Sequence, residues 1–319
     1  MNYPEIKIDN RFLLIFKCIT GSHLYGTALP ESDYDIRGVL IPTEEFYLGF
    51  MNKVEQIESH KPDITYWEIQ KFFKLCLDNN PNILELLFIP DNSQLETSDA
   101  WKEIIENRKM FLSIKARYTF AGYAVAQLHR IKQHREWLLN PPSHHPKRDE
   151  FGLPETNTIT KDQINAYDEL TAKGSALNLT SQMLDILHRE KAYINAMRYW
   201  TQYKEWESNR NPDRAKLEKA WGYDTKHASH LYRLLSEGKE LLTSAWITFP
   251  RPDAQEILAI RHGEYSYEQL MNNIGDIDEY FKLFEHKFIL PRSPNRLEAD
   301  VLCQKLIKDR LNSQWENID

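Results

Sequence analysis

Thr20-Gly-Ser-His-Leu-Tyr-Gly-Thr-Ala-Leu-Pro-Glu-Ser-Asp33-Tyr-Asp35-Ile-Arg37-Gly-Val-Leu-Ile41 is the stretch on which the reading of this chain turns. It follows an apolar run from Phe12 to Ile19, short enough for a buried strand, that stops at Gly21-Ser22. A glycine at a strand end lets the backbone approach a ligand closely. If Ser22 to Tyr25 open a short helix, their free N–H groups and the serine hydroxyl face an anion, and phosphate is the obvious guest. Asp33-Tyr34-Asp35-Ile36, continued by Val39-Leu40-Ile41, reads as a strand beside the first. Period-two alternation then puts both aspartates on one face and points Tyr34 and Ile36 into the core. Carboxylates converging from that spacing suit hard cations such as Mg²⁺, and two ions about 3.5–4 Å apart clamp the oxygens of an in-line displacement at phosphorus.

Two aspartates leave a second ion poorly ligated on the attacking side, so a third carboxylate is expected. Asp63 is the first candidate: in His60-Lys-Pro-Asp63-Ile-Thr-Tyr66 it shares a strand face with Thr65, while Ile64 and Tyr66 take the other. Glu55 and Glu58 in the preceding stretch are rivals. A Gly-Ser pair alone mostly marks a turn, and an Asp-X-Asp pair alone is more often a solvated edge than a metal site. The combination, with a strand before, a loop between and a strand after, is what carries weight.

The Gly-Ser pair, about ten intervening residues and Asp-hydrophobic-Asp-hydrophobic resemble the signature of the DNA-polymerase-β-type nucleotidyltransferase superfamily. More narrowly, the chain resembles its RNA-repair-pathway branch, RlaP. Three later stretches carry this narrower likeness: Trp67 to Lys74 with Asn80-Pro-Asn-Ile-Leu-Glu-Leu-Leu87, Phe151-Gly-Leu-Pro154, and Gly222-Tyr-Asp-Thr-Lys-His-Ala-Ser-His-Leu-Tyr-Arg-Leu-Leu235. The resemblance implies a small mixed-sheet catalytic domain followed by a mostly helical one, an α+β chain. It also implies that Asp33 and Asp35 hold two divalent ions, Mg²⁺ or Mn²⁺, that Gly21 and Ser22 hold a triphosphate, and that a third acidic residue completes the site. Asp63 matches that last role by context only. Arg37, directly after the aspartates, either neutralises phosphate or pairs with a carboxylate.

The composition is ordinary for a globular protein, with 41% apolar and 27% charged residues, and 319 residues suggest two domains. A net charge of −7 argues against a protein that coats nucleic acid through bulk electrostatics, although a local basic stripe would still receive RNA. Cys18, Cys76 and Cys303 are widely spaced among apolar neighbours, which fits reduced thiols and a cytoplasmic setting. Neither a leader sequence nor an apolar run approaching the ~20 residues of a bilayer span is expected.

Along the chain, Thr43 to Gly49 reads as a short helix, Val54 to Glu58 and Asp63 to Tyr66 as strands, and the period turns helical from Trp67. Asn80-Pro81 starts a further helix, with the asparagine as cap, and Asp99 to Glu106 and Ile114 to Leu139 are others. The expected partition is a catalytic domain over 1–112 and a helical domain over 113–319 that closes the cleft, with a flexible loop at about 140–160. The basic residues of the Ile114 helix read better as a solvated face than as an RNA-contacting ridge, and the tryptophans and tyrosines of Ser181 to Asn209 read better as core than as base-stacking platforms.

Gly222 to Arg233 is the second informative stretch. Asp224 or Thr225 would cap a helix on whose face Lys226, His230 and Arg233 recur at spacings of four and three. A nucleotidyltransferase needs positive groups on the departing phosphates, so these three residues and Tyr223 are candidate nucleotide contacts. The competing reading is a packed helix with its cations in surface pairs. The expected activity is transfer of a nucleoside monophosphate from a nucleoside triphosphate, ATP first, to an acceptor hydroxyl, with release of pyrophosphate. An RNA 3′ end is the first choice of acceptor, and a protein or small molecule the second. A noncatalytic RNA-binding or docking protein on the same fold is the alternative of another class.

Overall fold

The Phe12 run forms β1 (Phe12–Thr20), and β2 (Asp35–Pro42) lies antiparallel to it with Thr20 opposite Asp35. The computed structural model describes residues 3–157, 159–172 and 180–315. β3 (Gln56–His60), β4 (Asp63–Glu68) and β5 (Gln94–Thr97) complete a five-stranded sheet in the order β3-β4-β2-β1-β5. β2 and β4 run parallel, with Ile36 beside Ile64, and every other pair is antiparallel. A parallel pair needs a crossover. Here α2 (Glu45–Leu48) and β3 supply it, α1 (Gly21–Tyr25) being the turn between β1 and β2.

Alternation sorts the sheet's two faces. Ile19, Ile36, Leu40, Ile64 and Tyr66 form a buried cluster, covered by Tyr3, Ile6 and Ile8 of the N-terminal segment and by Tyr34. On the opposite face Phe16 stacks on Trp101 at 3.8 Å between ring centroids, with Phe72 beside them. Trp101 belongs to α5 (Asp99–Glu106), whose cap Ser98 accepts the Trp101 N–H at 3.2 Å and donates to the Ile15 carbonyl at 2.9 Å, fastening helix to strand. Such a cap is worth about 1 kcal/mol. α3 (Ile69–Leu77) is capped by Glu68, which accepts the Lys71 N–H at 3.0 Å, and α4 (Pro81–Leu84) by Asn80 with proline in its first turn. Trp67 therefore stays in β4, and the helical period begins two residues later than expected.

Two differences from the sequence reading have clear causes. β2 starts at Asp35 rather than Asp33, because β1 ends at Thr20, the partner of Asp35, and the chain turns into α1 immediately afterwards. β5 was not anticipated: four half-exposed residues, Gln-Leu-Glu-Thr, carry too little apolar alternation to signal a strand. The α+β class holds, with the mixed sheet first and helices after it.

The chain divides into two compact units, residues 1–131 with 225–319, and residues 132–224. α6 (Ala116–Leu139) leads out of the first. The second holds α7 (Lys161–Ala172), α8 (Ser181–Ser208) and α9 (Pro212–Trp221). Within it Tyr203 is buried and packs with buried Trp137 and half-buried Trp206, whereas Tyr193 and Trp200 are half-buried and Tyr199 is exposed, so the aromatic set is core only in part. The described part of segment 140–160 wraps Arg148, which donates to both Glu190 carboxylate oxygens, the Pro154 carbonyl and Asn157. The first unit resumes with α10 (Thr225–Ser244), α11 (Ala254–Arg261), α12 (Tyr267–Ile274), α13 (Ile277–Lys282) and α14 (Arg296–Trp315). Among the described residues no helix is long and apolar enough to cross a membrane.

Candidate functional site

Thr20 stands at the N-cap position of α1 but does not cap it. Its hydroxyl donates instead to the Asp35 carbonyl at 3.2 Å, so the first turn of α1 has neither a side-chain cap nor an acidic residue. Gly21 takes a left-handed φ of +65°, and a Cβ built there would fall 1.8 Å from Asp35 Oδ2. Glycine is thus required twice, by the backbone and by the carboxylate lying against it. α1 closes on Gly26, whose left-handed N–H donates to the Ser22 carbonyl. The Gly-Ser turn and Asp35 are one packed object.

Asp63 opens β4 beside Asp35, and each carboxylate acts on the other's titration. Burial, and next in the same direction the charge of Asp63, push the Asp35 carboxyl above its usual range, against the pull of Arg37 and Lys226. For Asp63 burial also acts upward, but the hydrogen bond and charge of Arg37, together with the hydrogen bond from Asp35, hold it below its ordinary value. Arg37 Nη1 donates to Asp63 Oδ1 at 2.9 Å, to the Asp63 carbonyl at 3.2 Å and to the Ile36 carbonyl at 2.9 Å. Of the two roles open to Arg37, carboxylate pairing is the one seen.

Asp33 precedes the ladder, is exposed, and its side chain makes no hydrogen bond or ion pair with described residues. Among the described residues, Asp33, Asp35 and Asp63 do not close into one cluster with ligand atoms within 4.8 Å of one another. Asp35 and Asp63 are brought together, and Asp33 stands outside that pair. The rivals lie elsewhere: Glu55 is paired with Lys71 at 2.7 Å, and Glu58 on β3 sits across from Thr65 and accepts from Gln56.

α10 supplies the remaining predicted residues, in three different settings. Lys226, in its first turn, is exposed, and its charge is felt at Asp35. His230 is half-buried, with Nε2 buried and without a hydrogen-bond partner. Burial, and then the charges of Arg233, His227, Arg130 and Lys226, push its pKa down to about 3, so the ring is neutral. Arg233 is 5% exposed and engaged: its Nη1 donates to Glu85 and to both Glu237 oxygens, at 2.9 and 2.8 Å, and its guanidinium lies 4.0 Å from the Tyr25 ring centroid. Arg251 extends the network to Glu240 and Asp253. Tyr223 belongs to the second unit, where burial pushes its hydroxyl up to about 12.

Glu85, Glu237 and Arg251 were missed in the sequence. A signal was present for two of them: Glu85 interrupts the apolar run Ile83-Leu-Glu-Leu-Leu87, and Glu237 follows Arg233 at helical i,i+4 spacing. A charge inside an apolar run announces a buried partner.

Hard carboxylate oxygens in mutual contact suit a divalent cation, because two such groups side by side need either a shared proton or a positive ion. Asp35 and Asp63 would hold it, with Asp33 available from the adjoining loop.

Residues 2–142 match the family model described as RNA repair pathway DNA polymerase beta family. The chain is 24% identical over 306 residues to an uncharacterized 38.9 kDa protein encoded in the nrdC-mobD intergenic region of Enterobacteria phage T4, spanning 82% of this chain and 87% of that one. It is 31% identical over 77 residues to the uncharacterized protein YcgL of Bacillus subtilis (strain 168), spanning 23% of this chain and 30% of that one. No solved structure matches the chain.

Proposed function

From the match of residues 2–142 to the RNA repair pathway DNA polymerase beta family model, we propose that this protein is a divalent-metal-dependent nucleotidyltransferase that moves a nucleoside monophosphate from a nucleoside triphosphate to an acceptor hydroxyl. The observation that carries the reading is the Asp35–Asp63 contact with Gly21 packed against it, which joins a cation-seeking pair to an uncapped glycine-serine turn. Residues 1–112 are assigned the catalytic role and 113–319 the helical role, with contacts to the triphosphate or acceptor. Mg²⁺ or Mn²⁺, when bound, would supply Lewis-acid stabilisation of the reacting oxygens.

The chain's own residues do the rest. Asp35 and Asp63 orient the hard-cation site, and Asp63, kept ionised by Arg37, is the group suited to accept the acceptor hydroxyl's proton. Asp33 adds charge at the mouth. The α1 N–H groups and Ser22 receive phosphate oxygens, and Lys226 contributes positive charge as pyrophosphate departs. His230, neutral, acts as a hydrogen-bonding group rather than a cation. ATP is the first triphosphate to test and an RNA 3′ end the first acceptor.

The deciding experiment incubates the protein with each α-labelled triphosphate, Mg²⁺ or Mn²⁺, and either total RNA or a protein lysate. Label on RNA 3′ ends with equal pyrophosphate release is the expected result. Label on protein or on a small molecule would keep the reaction and change the acceptor. Release of free monophosphate alone, or no metal-dependent turnover with any triphosphate, would overturn transfer.

Gly21→Ala provides a sharp check on the geometry. The left-handed backbone costs a side chain about 1–2 kcal/mol, and the new methyl must displace the Asp35 carboxylate. Misplacing a reacting group by an ångström costs on the order of 10²-fold in rate. We expect that loss in pyrophosphate release while the circular dichroism spectrum stays native.

A further inference from the structure

Arg233 recurs on the same helix as Lys226 and has the charge a phosphate would want, yet it is wrapped in carboxylates. What it holds is α1. Tyr25, the last residue of that turn, donates its hydroxyl to Glu85 Oε2 at 2.7 Å, and the other Glu85 oxygen accepts from Arg233 Nη1. The Arg233 guanidinium lies over the Tyr25 ring at 4.0 Å, so Tyr25 is gripped at its hydroxyl and on its face by one connected pair. The Arg251 N–H donates to the Tyr25 carbonyl at 3.1 Å, and the Pro250 ring comes so close that a Cβ on Gly26 would meet it at 3.0 Å. At its other end α1 is fixed by Thr20 on the Asp35 carbonyl and Gly21 on the Asp35 carboxylate.

We propose that Arg233 and Glu85 are positioning residues that act through Tyr25 to hold the Gly21-Ser22 turn in register with Asp35, so that Arg233 serves the triphosphate site by bracing it rather than by contacting the nucleotide. The proposal rests on the nucleotidyltransferase reading above. Three features favour bracing over direct contact. Arg233 is 5% exposed and its Nη1 already meets two carboxylates, so its charge is answered inside the fold. Glu85 is 3% exposed and splits its two oxygens between Tyr25 and Arg233, which ties the two together. Lys226 and Arg233 ride on one rigid helix, so the brace also fixes where the Lys226 charge stands relative to Asp35.

The test uses the full chain and four variants, Tyr25→Phe, Glu85→Gln, Arg233→Ala and Arg233→Lys, with Leu302→Ala, a core truncation in α14, as a control for simple destabilisation. Two readouts are taken: hydrogen exchange of the amides of residues 22–27, and affinity for a non-hydrolysable ATP analogue with Mg²⁺. Tyr25→Phe removes one hydroxyl and keeps the ring. It is expected to speed exchange at 22–27 by roughly tenfold, a local opening, and to weaken nucleotide affinity by about tenfold, as loss of a supporting hydrogen bond typically does. Glu85→Gln should act in the same direction, and Arg233→Lys, which keeps the charge and loses the planar stack, should recover part of the Arg233→Ala defect. Exchange at 22–27 or nucleotide affinity that tracks only thermal stability, so that Leu302→Ala matches Tyr25→Phe, would overturn the brace. Wild-type protein that binds no nucleotide in the presence of metal would instead fail the transfer reading itself.

Discussion

Asp35→Asn is expected to lower metal-dependent pyrophosphate release by about 10³-fold, the scale of losing a single well-placed electrostatic group in an active site, while leaving the folded state at least as stable as before. The two halves of this result have one cause. Asp35 is raised by burial and by Asp63, so the folded protein binds its proton more tightly than the unfolded chain does. With more protons bound in the folded state, stability falls as pH rises from the ordinary carboxylate value of 3.8 through the raised one. At neutral pH the ionised Asp35 is therefore a burden on the fold, and an amide of the same shape relieves it. Asp63→Asn should behave oppositely. Asp63 is depressed by Arg37, so its contribution is present above the unfolded pKa and is lost as pH falls through the folded one. The neutral variant leaves Arg37 without its partner and lowers the thermal midpoint. Activity assays and thermal melts at pH 7 on both variants separate a catalytic pair from an ordinary surface pair. A destabilised Asp35→Asn with activity intact would remove the site's foundation.

The largest expected loss of stability is in Arg233→Ala. Removing one partner of a buried ion pair costs about 3–5 kcal/mol, because Glu85 and Glu237 would lose the guanidinium between them, leaving Glu237 only Arg251 at 4.0 Å. That is a large fraction of the roughly 5–15 kcal/mol that holds a domain folded. Urea unfolding with a constant slope should report it directly. The same network carries a pH signature. Burial, against the charge of Arg233, pushes the Glu237 carboxyl from an ordinary 4.5 up to about 8. Its contribution is thus complete below pH 4.5 and is lost as pH rises through about 8. Wild-type stability should decline over that window, and Glu237→Gln should flatten the decline.

Local patterns that report their own structure were legible in the chain. The apolar run ending at Gly21, the alternation of Asp63-Ile-Thr-Tyr66 and the Asn80-Pro81 cap each state a conformation within a few residues, and each forms as read. The pairing of Asp35 with Asp63 was inferable because both open strands whose apolar faces must share a core. The role of Arg233 was not legible. Its spacing with Lys226 and His230 describes a helix face, but what that face meets depends on Glu85, 148 residues away, and on Tyr25. Helical periodicity fixes direction, not the partner. Asp33 shows the same limit at short range: a two-residue spacing places both aspartates on one strand face only if the ladder extends that far, and the end of β1 decides that it does not.

The first compact unit is assembled from two stretches of chain interrupted by residues 132–224. α14 packs against α3, and Lys305 reaches Glu103 on α5 at 2.7 Å. Arg233 and Arg251, which reach Glu85 and Tyr25, likewise come from the second of these stretches. During translation, then, the ribosome delivers the entire sheet, complete at Thr97, well before it delivers α10, which begins at Thr225. A nascent chain halted after α9 would hold the sheet and the glycine-serine turn without Arg233 and Arg251, the residues that grip Tyr25 from α10 onward.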